Sequence, residues 1–210
     1  MRLGGSATAE YSNIFANGGV VGEHTYIYKS YKARIDINNA RFISIGNNCL
    51  ITEGCVLLAH DYSYAVVANK YGELLRNQRK TCIGNNVFLG MNTIVLMGAS
   101  IGDNCIVGAG SVVSGKLEAN SVYAGNPAKR ICSLEEFYLK LKKNFVQSAL
   151  IYAEKAFSED SMGVYLSLLD CQKFYKYLDN AHLNGIDLEK IDQEKISGYH
   201  ILRWNEIKHK

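Results

Sequence analysis

IGNNVF LGMNTI VLMGAS IGDNCI VGAGSV VSGKLE: residues 83–118 fall into hexads. The first place is aliphatic each time: Ile83, Leu89, Val95, Ile101, Val107 and Val113. Glycine holds the second place in most of them, and the fifth is small or medium: Val87, Thr93, Ala99, Cys105, Ser111, Leu117. The pattern also runs upstream, as IGNNCL from Ile45 and ITEGCV from Ile51, and faintly as VGEHTY from Val21. A helix places apolar residues at a spacing near 3.6 and a half-buried strand alternates them, so a period of six is neither. It suits a chain that makes a short strand, turns a corner and repeats, with three hexads closing one triangular coil. Successive coils then stack about 4.8 Å apart through parallel backbone ladders. The first-place residue points inward on every face, and the fifth fills the crowded space near a corner. Glycine is expected to tolerate the unusual backbone angles there, with Asn-Asn and Asp-Asn supplying corner chemistry. Cys49, Cys55 and Cys105 share the fifth place and read as small buried hydrophobes.

Outside the repeat, the composition bounds the answer. With 48% apolar and 20% charged residues, the chain has the make-up of a globular domain. A net charge of +3 argues for neither nucleic acid nor a membrane surface. No apolar run approaches the roughly 18 residues of a membrane span, and MRLGGSATAEYS lacks the apolar core of a secretory signal. The expected location is cytoplasmic. Glycine thins out after Gly125 while charge and helix formers concentrate after Ser133. The expected organisation is a β domain over 1–132, with a loop at 61–81 protruding, and a helical C-terminal extension over 133–210.

The hexads, followed by YAGNPAKRI, resemble the hexapeptide-repeat acyltransferases, and VGEHTY with the histidine loop is most similar to the sugar O-acetyltransferase and xenobiotic acetyltransferase branch. The resemblance spans about Val20 to Ile131 and implies a left-handed parallel β-helix. The handedness comes from the resemblance, against the usual crossover rule. It also implies acetyl-CoA as acyl donor, a homotrimer with the coenzyme in the groove between neighbouring coils, and direct attack by the acceptor without an acyl-enzyme.

The beat stops at VLLAHDYSY, Val56–Tyr64, and resumes at Ile83. A run that does not fit the coil protrudes from a corner, and loops on a rigid scaffold are where binding and catalysis concentrate. Acyl transfer from a thioester to a hydroxyl needs a base for the hydroxyl, donors for the oxyanion and a proton for the departing thiol. One imidazole serves the first and last, and His60 in AHDYS matches the family's loop histidine. Its orientation needs a carbonyl or carboxylate on the other ring nitrogen. Asp61 and Glu53 are the candidates, with Tyr62 and Tyr64 as candidate acceptor-site walls.

On the coenzyme side, the resemblance assigns Met91 after LG, Ala109 in VGAGS, Ser114 after VV and Lys129 in GNPAK, the lysine facing the phosphates. The chain departs from the family in having Gly115 with Lys116 after the VV step, Phe88 where an indole is common, and Cys132 beyond GNPAK with Arg130 near. No metal is expected, because only His24 and His60 fall within the coil and a zinc hydratase of this architecture needs several histidines. Ser133 followed by Glu136 is a capping box opening a helix over about 134–156. A second helix is expected near 161–182, and the tail's expected role is to cover the open end of the prism or to pack on a neighbouring subunit.

These features point to an acetyl-CoA-dependent O-acetyltransferase acting on a sugar or saccharide hydroxyl. An antibiotic or amino-sugar N-acetyltransferase shares the same base and donor, and a β-helix scaffold without chemistry is the non-enzymatic alternative.

Overall fold

The computed structural model describes residues 14, 16–28 and 32–142. The chain separates into two compact units, Met1–Phe137 and Tyr138–Lys210, and the coil lies in the first. The part of the expected 134–156 helix beyond residue 142, and the helix expected near 161–182, lie outside the described residues.

Three sheets of two- to five-residue strands form the coil. The first has the order β1 (Val20–Val21), β4 (Ile43–Ile45), β9 (Thr81–Ile83), β12 (Ser100–Ile101), β15 (Lys116–Leu117). The second joins β2 (Tyr26–Ile27), β5 (Leu50–Ile51), β10 (Phe88–Leu89), β13 (Ile106–Val107), β16 (Ser121–Ala124) and β17 (Lys129–Ser133). The third joins β3 (Arg34–Ile35), β6 (Val56–Leu57), β11 (Ile94–Val95) and β14 (Val112–Val113). Every pairing along these stacks is parallel except β16 with β17. This is the mainly β, repeat-built coil that the hexads imply.

The register explains the sequence rule. Ile51, Leu89 and Val107 stack in the second sheet, and Leu57, Val95 and Val113 in the third. Each of these side chains is fully buried, so each contributes about 1.5–3 kcal/mol of apolar burial. The fifth-place residues Cys49, Cys55, Thr93, Ala99, Cys105 and Ser111 are also fully buried. The two hydroxyls among them donate to carbonyls of their own corners, Thr93 to Gly90 at 2.7 Å and Ser111 to Gly108 at 2.6 Å.

Two sequence expectations need correction. The left-handed backbone sits at the fourth place of the hexad rather than the second: Asn48, Asn86 and Asn104 have φ of 56°, 54° and 55°, and Gly54, Gly98 and Gly110 of 78°, 79° and 68°. Second-place glycine answers a different need, the close approach of coils. A Cβ on Gly90 would lie 2.5 Å from the backbone nitrogen of Ala109. The second correction concerns Leu117, which belongs to the first-place column because it pairs with Ile101. Gly115, at φ 73°, turns the preceding corner in fewer residues.

The edge of the second sheet is covered before the helical segment begins. β17 folds back antiparallel on β16, Ala128 N–H donates to Val112 O, and Leu134 N–H to Asn120 O. The capping box then forms as expected: Ser133 N–H and Oγ–H both donate to Glu136 Oε2, and Glu136 N–H donates to Ser133 Oγ. These bonds hold the Glu136 carboxyl below its ordinary range. The helix they open begins at 134 and is described as far as 142. Among the described residues no helix is long and apolar enough to cross a membrane.

Candidate active site

His60 occupies the fourth place counted from Leu57, the slot that elsewhere turns a corner on Asn or Gly, or on His24 in the first hexad. Here the chain does not turn. It leaves the coil as β7 (His60–Asp61), which pairs antiparallel with β8 (Asn77–Gln78), putting His60 opposite Gln78. Between them runs a short helix, α1 (Tyr64–Tyr71), none of whose residues is buried, ended by Gly72 at φ 72°. The chain re-enters the first sheet at Thr81.

The carboxylate on the His60 ring is Asp36, a residue the sequence reading did not single out. Asp36 Oδ2 accepts from His60 Nδ1 and from Ala59 N–H at 3.3 Å. The Asp36 side chain is 5% exposed and the His60 side chain 20%, so the ring is reachable while its partner is not. Asp36 comes from the coil before, just past β3, whose Ile35 pairs with Leu57. Asn39, in a 3-10 segment over Ile37–Phe42, donates from Nδ2 to Asp36 Oδ1 at 3.0 Å. Asn39 Oδ1 in turn accepts from Gln78 Nε2 at 2.8 Å.

The two carboxylates considered for that task are engaged elsewhere. Asp61 accepts from Ser63 N–H at 2.9 Å, from the Ser63 hydroxyl and from Asn77 Nδ2 at 3.2 Å. The Ser63 hydroxyl and amide hold its carboxyl below the usual range. Glu53 pairs with Lys32 on another corner of the coil.

The ring opens on a cavity of about 200 Å³ whose walls include Asn38, Tyr62, Tyr64, Arg76 and Gln78. Tyr62 meets the His60 ring edge-on, with centroids 4.9 Å apart, and Tyr64 lies 5.8 Å beyond it. Tyrosine rings beside amide donors and acceptors give this cavity both apolar and hydrogen-bonding walls.

Met91 and Ala109 stand on consecutive coils of one corner, both exposed, with Gly110 N–H donating to Met91 O at 2.8 Å. Met91 also lines a second cavity, of about 650 Å³, together with Lys32, Arg34, Glu53, Val56 and Ile94. Ser114 is exposed on the other corner of the third sheet, the one from which the His60 loop departs. Lys129 is exposed opposite Ala124 in the β16–β17 pair. The structure thus places Met91 and Ala109 together, brings Lys129 to the same end of the second sheet through Ala124, which packs against Gly108, and sets Ser114 on a different corner. Among the described residues no group of three or more His, Cys, Asp or Glu stands placed to hold a metal ion.

The family profile described as hexapeptide repeat of succinyl-transferase matches residues 80–114. Protein CapG of Staphylococcus aureus is 44% identical over 102 residues, covering 49% of this chain and 59% of that protein. Galactoside O-acetyltransferase of Escherichia coli K12 is 31% identical over 132 residues, covering 55% of this chain and 64% of that protein. Among solved structures, a hexapeptide-repeat acetyltransferase from Vibrio cholerae aligns with a TM-score of 0.48 at 18% identity, over 61% of this chain and 81% of that one. The chain spans less than two thirds of the length of the curated relatives it matches.

Proposed function

We propose that this chain, which belongs to the hexapeptide-repeat acetyltransferase family, transfers an acetyl group from acetyl-CoA to a hydroxyl of a sugar or saccharide, with His60 as general base. The observation that carries this reading is the Asp36–His60 pair at the wall of an open, aromatic- and amide-lined cavity. Nδ1 is committed to Asp36, so the neutral ring presents Nε2 as its acceptor.

The acceptor hydroxyl attacks the thioester carbonyl carbon while Nε2 takes its proton. The tetrahedral intermediate collapses, the C–S bond breaks, and the imidazolium returns the proton to the thiolate, so CoA leaves as the thiol. Ionised Asp36, held by the Ala59 amide and by Asn39, stabilises the imidazolium between the two steps. Met91 and Ala109 provide an exposed edge for the pantetheine arm, Ser114 a hydroxyl on the base's own corner, and Lys129 a cation for the phosphates. Three coils side by side would enclose that edge.

The test pairs calorimetric titration with acetyl-CoA against thiol release in the presence of saccharide acceptors. His60→Ala should bind acetyl-CoA like the wild type and lose turnover by roughly 10²–10⁴-fold, the usual contribution of a positioned base. Wild-type turnover in that variant removes His60 from the chemistry, and no acetyl-CoA binding by the intact protein removes the donor.

A further inference from the structure

We propose that the acceptor is an acidic sugar, whose ring-borne carboxylate or phosphate pairs with Arg76 while His60 faces the hydroxyl. The inference rests on the transfer reaction proposed above and names its substrate class.

The hairpin places the cation. β7 and β8 pair antiparallel with His60 opposite Gln78 and Asp61 opposite Asn77, so the count continues to Tyr62 and Arg76. Side chains two apart on an extended chain share a face. His60 and Tyr62 on the outgoing side, and Gln78 and Arg76 on the returning side, all line the cavity of about 200 Å³.

Arg76 is set apart by its missing counter-charge. Among the described residues the ion pairs are Lys32 with Glu53, His60 with Asp36 and Lys116 with Glu118. No described residue pairs with or hydrogen-bonds the Arg76 guanidinium, although Glu73 stands three residues upstream. The carboxylates at the cavity are already met. Asp36 accepts from His60, Ala59 and Asn39. Asp61 accepts from Ser63 and Asn77, and the Arg79 charge adds to these. The site's own anions are matched and one guanidinium is left over. Its planar fork of donors fits an oxyanion through two parallel bonds.

Two arguments put that oxyanion on the acceptor ring. The cavity is smaller than the roughly 300–1,000 Å³ that encloses a drug-sized ligand, so it admits one ring with its substituents and no nucleotide. The coenzyme's phosphates lie a full pantetheine arm from its thioester. Arg76 shares a wall with the base, which is where the acetyl end has to reach.

The probes are the methyl glycosides of glucose, galactose and mannose, with the matching methyl uronides and 6-phosphates. Binding to the full-length protein is read without acetyl-CoA, from the His60 ring signals in ¹H–¹⁵N spectra, assigned by their loss in His60→Gln. Transfer is read as thiol release. At least one acidic form should bind about tenfold more tightly than its neutral glycoside, the scale of a charge-assisted pair screened at an exposed position. Raised ionic strength should shrink that ratio. Arg76→Gln should bring the ratio close to one, and Arg76→Lys should keep part of it. The ratio of kcat/KM values should follow, with acetyl-CoA affinity by calorimetry unmoved. A preference for the uronide assigns the carboxylate, and one for the 6-phosphate assigns the phosphate.

The proposal is overturned if the wild type prefers no acidic form, or if the preference survives Arg76→Gln in a variant of native circular dichroism. It is also overturned if Arg76→Gln weakens acetyl-CoA binding instead, since the cation would then serve the donor's phosphates. An acidic preference that is lost in Arg76→Gln, in a protein that transfers to none of the sugars, leaves the role of Arg76 standing. In that case the transfer reading alone falls.

Discussion

The coil between Ile83 and Val113 and the rung that carries Asp36, Asn39 and His60 are built on the same stack of strands, and they treat amide and carboxylate side chains in opposite ways. In the first, the interior slots hold aliphatic and small residues, and amides sit at the corners, where Asn86 Nδ2 donates to Asn104 Oδ1 at 2.9 Å and Asn104 Nδ2 to Asn120 Oδ1 at 3.0 Å. In the second, Asn39 is drawn into an interior slot and Asp36 is nearly buried, and each is matched by neighbours from other coils. Regular rungs gain stability from sameness. The irregular rung gives that up locally to hold a charged pair and a cavity.

The largest structural effect expected from this contrast is in the regular coil. Leu89→Ala removes a fully buried side chain from the middle of the second sheet and should destabilise the first unit by roughly 2–5 kcal/mol. Val66→Ala, on the exposed helix of the loop at 71% exposure, should stay within about 0.5 kcal/mol. Urea unfolding followed by circular dichroism compares the two. Equal losses would mean that α1 is part of the core, and the contrast between the regions would fail.

A middle-sized effect is expected at the corners. Asn104 has φ of 55° and takes part in the amide ladder. Asn104→Ala should cost about 1–2 kcal/mol for a Cβ in the left-handed region, while Asn104→Gly should cost less because glycine adopts that backbone freely. If the two variants lose equally by urea midpoint, the cost lies in the ladder's hydrogen bonds, which both remove, and not in the backbone angle.

The regular coil was legible in the sequence because every rung asks the same of its residues: one aliphatic inward, one small residue at the fifth place, one residue tolerant of positive φ at the fourth. The role of second-place glycine was misread, because a backbone clash with the next coil leaves the same signature as an unusual angle. His60 was legible as an interruption of the beat. Its partner was not, since Asp36 lies 24 residues upstream on a rung whose spacing departs from six on the way to Ile45. Two signals were present: an aspartate in the place that most hexads give to glycine, and an asparagine in the inward place. Asp61 and Glu53 drew attention by nearness in sequence, but in a coil the neighbours of a side chain lie one turn away. No periodicity reports on Gln78, which arrives through the hairpin.

The smallest expected effect separates the two regions by pH. Burial pushes the Cys49, Cys55 and Cys105 thiols above their ordinary value, and Asp103 and Glu118 add to this at Cys105. The unfolded chain ionises these thiols from about pH 8.5 upward, while the folded coil keeps them neutral to higher pH. The folded state then binds more protons than the unfolded one, so stability falls as pH rises. The thiols' contribution is intact below the ordinary thiol range and is lost as pH climbs from there through the folded values. Cys105→Ala removes one such group from the regular coil and leaves the Asp36–His60 pair untouched. Its urea midpoint should be lower than wild type at neutral pH through lost packing, yet decline less steeply between about pH 8 and 10, where the unfolded thiol ionises. Parallel declines would mean that the Cys105 thiol ionises as readily in the coil as in the open chain. The interior of the regular rungs would then be as accessible to water and charge as the rung that carries the site.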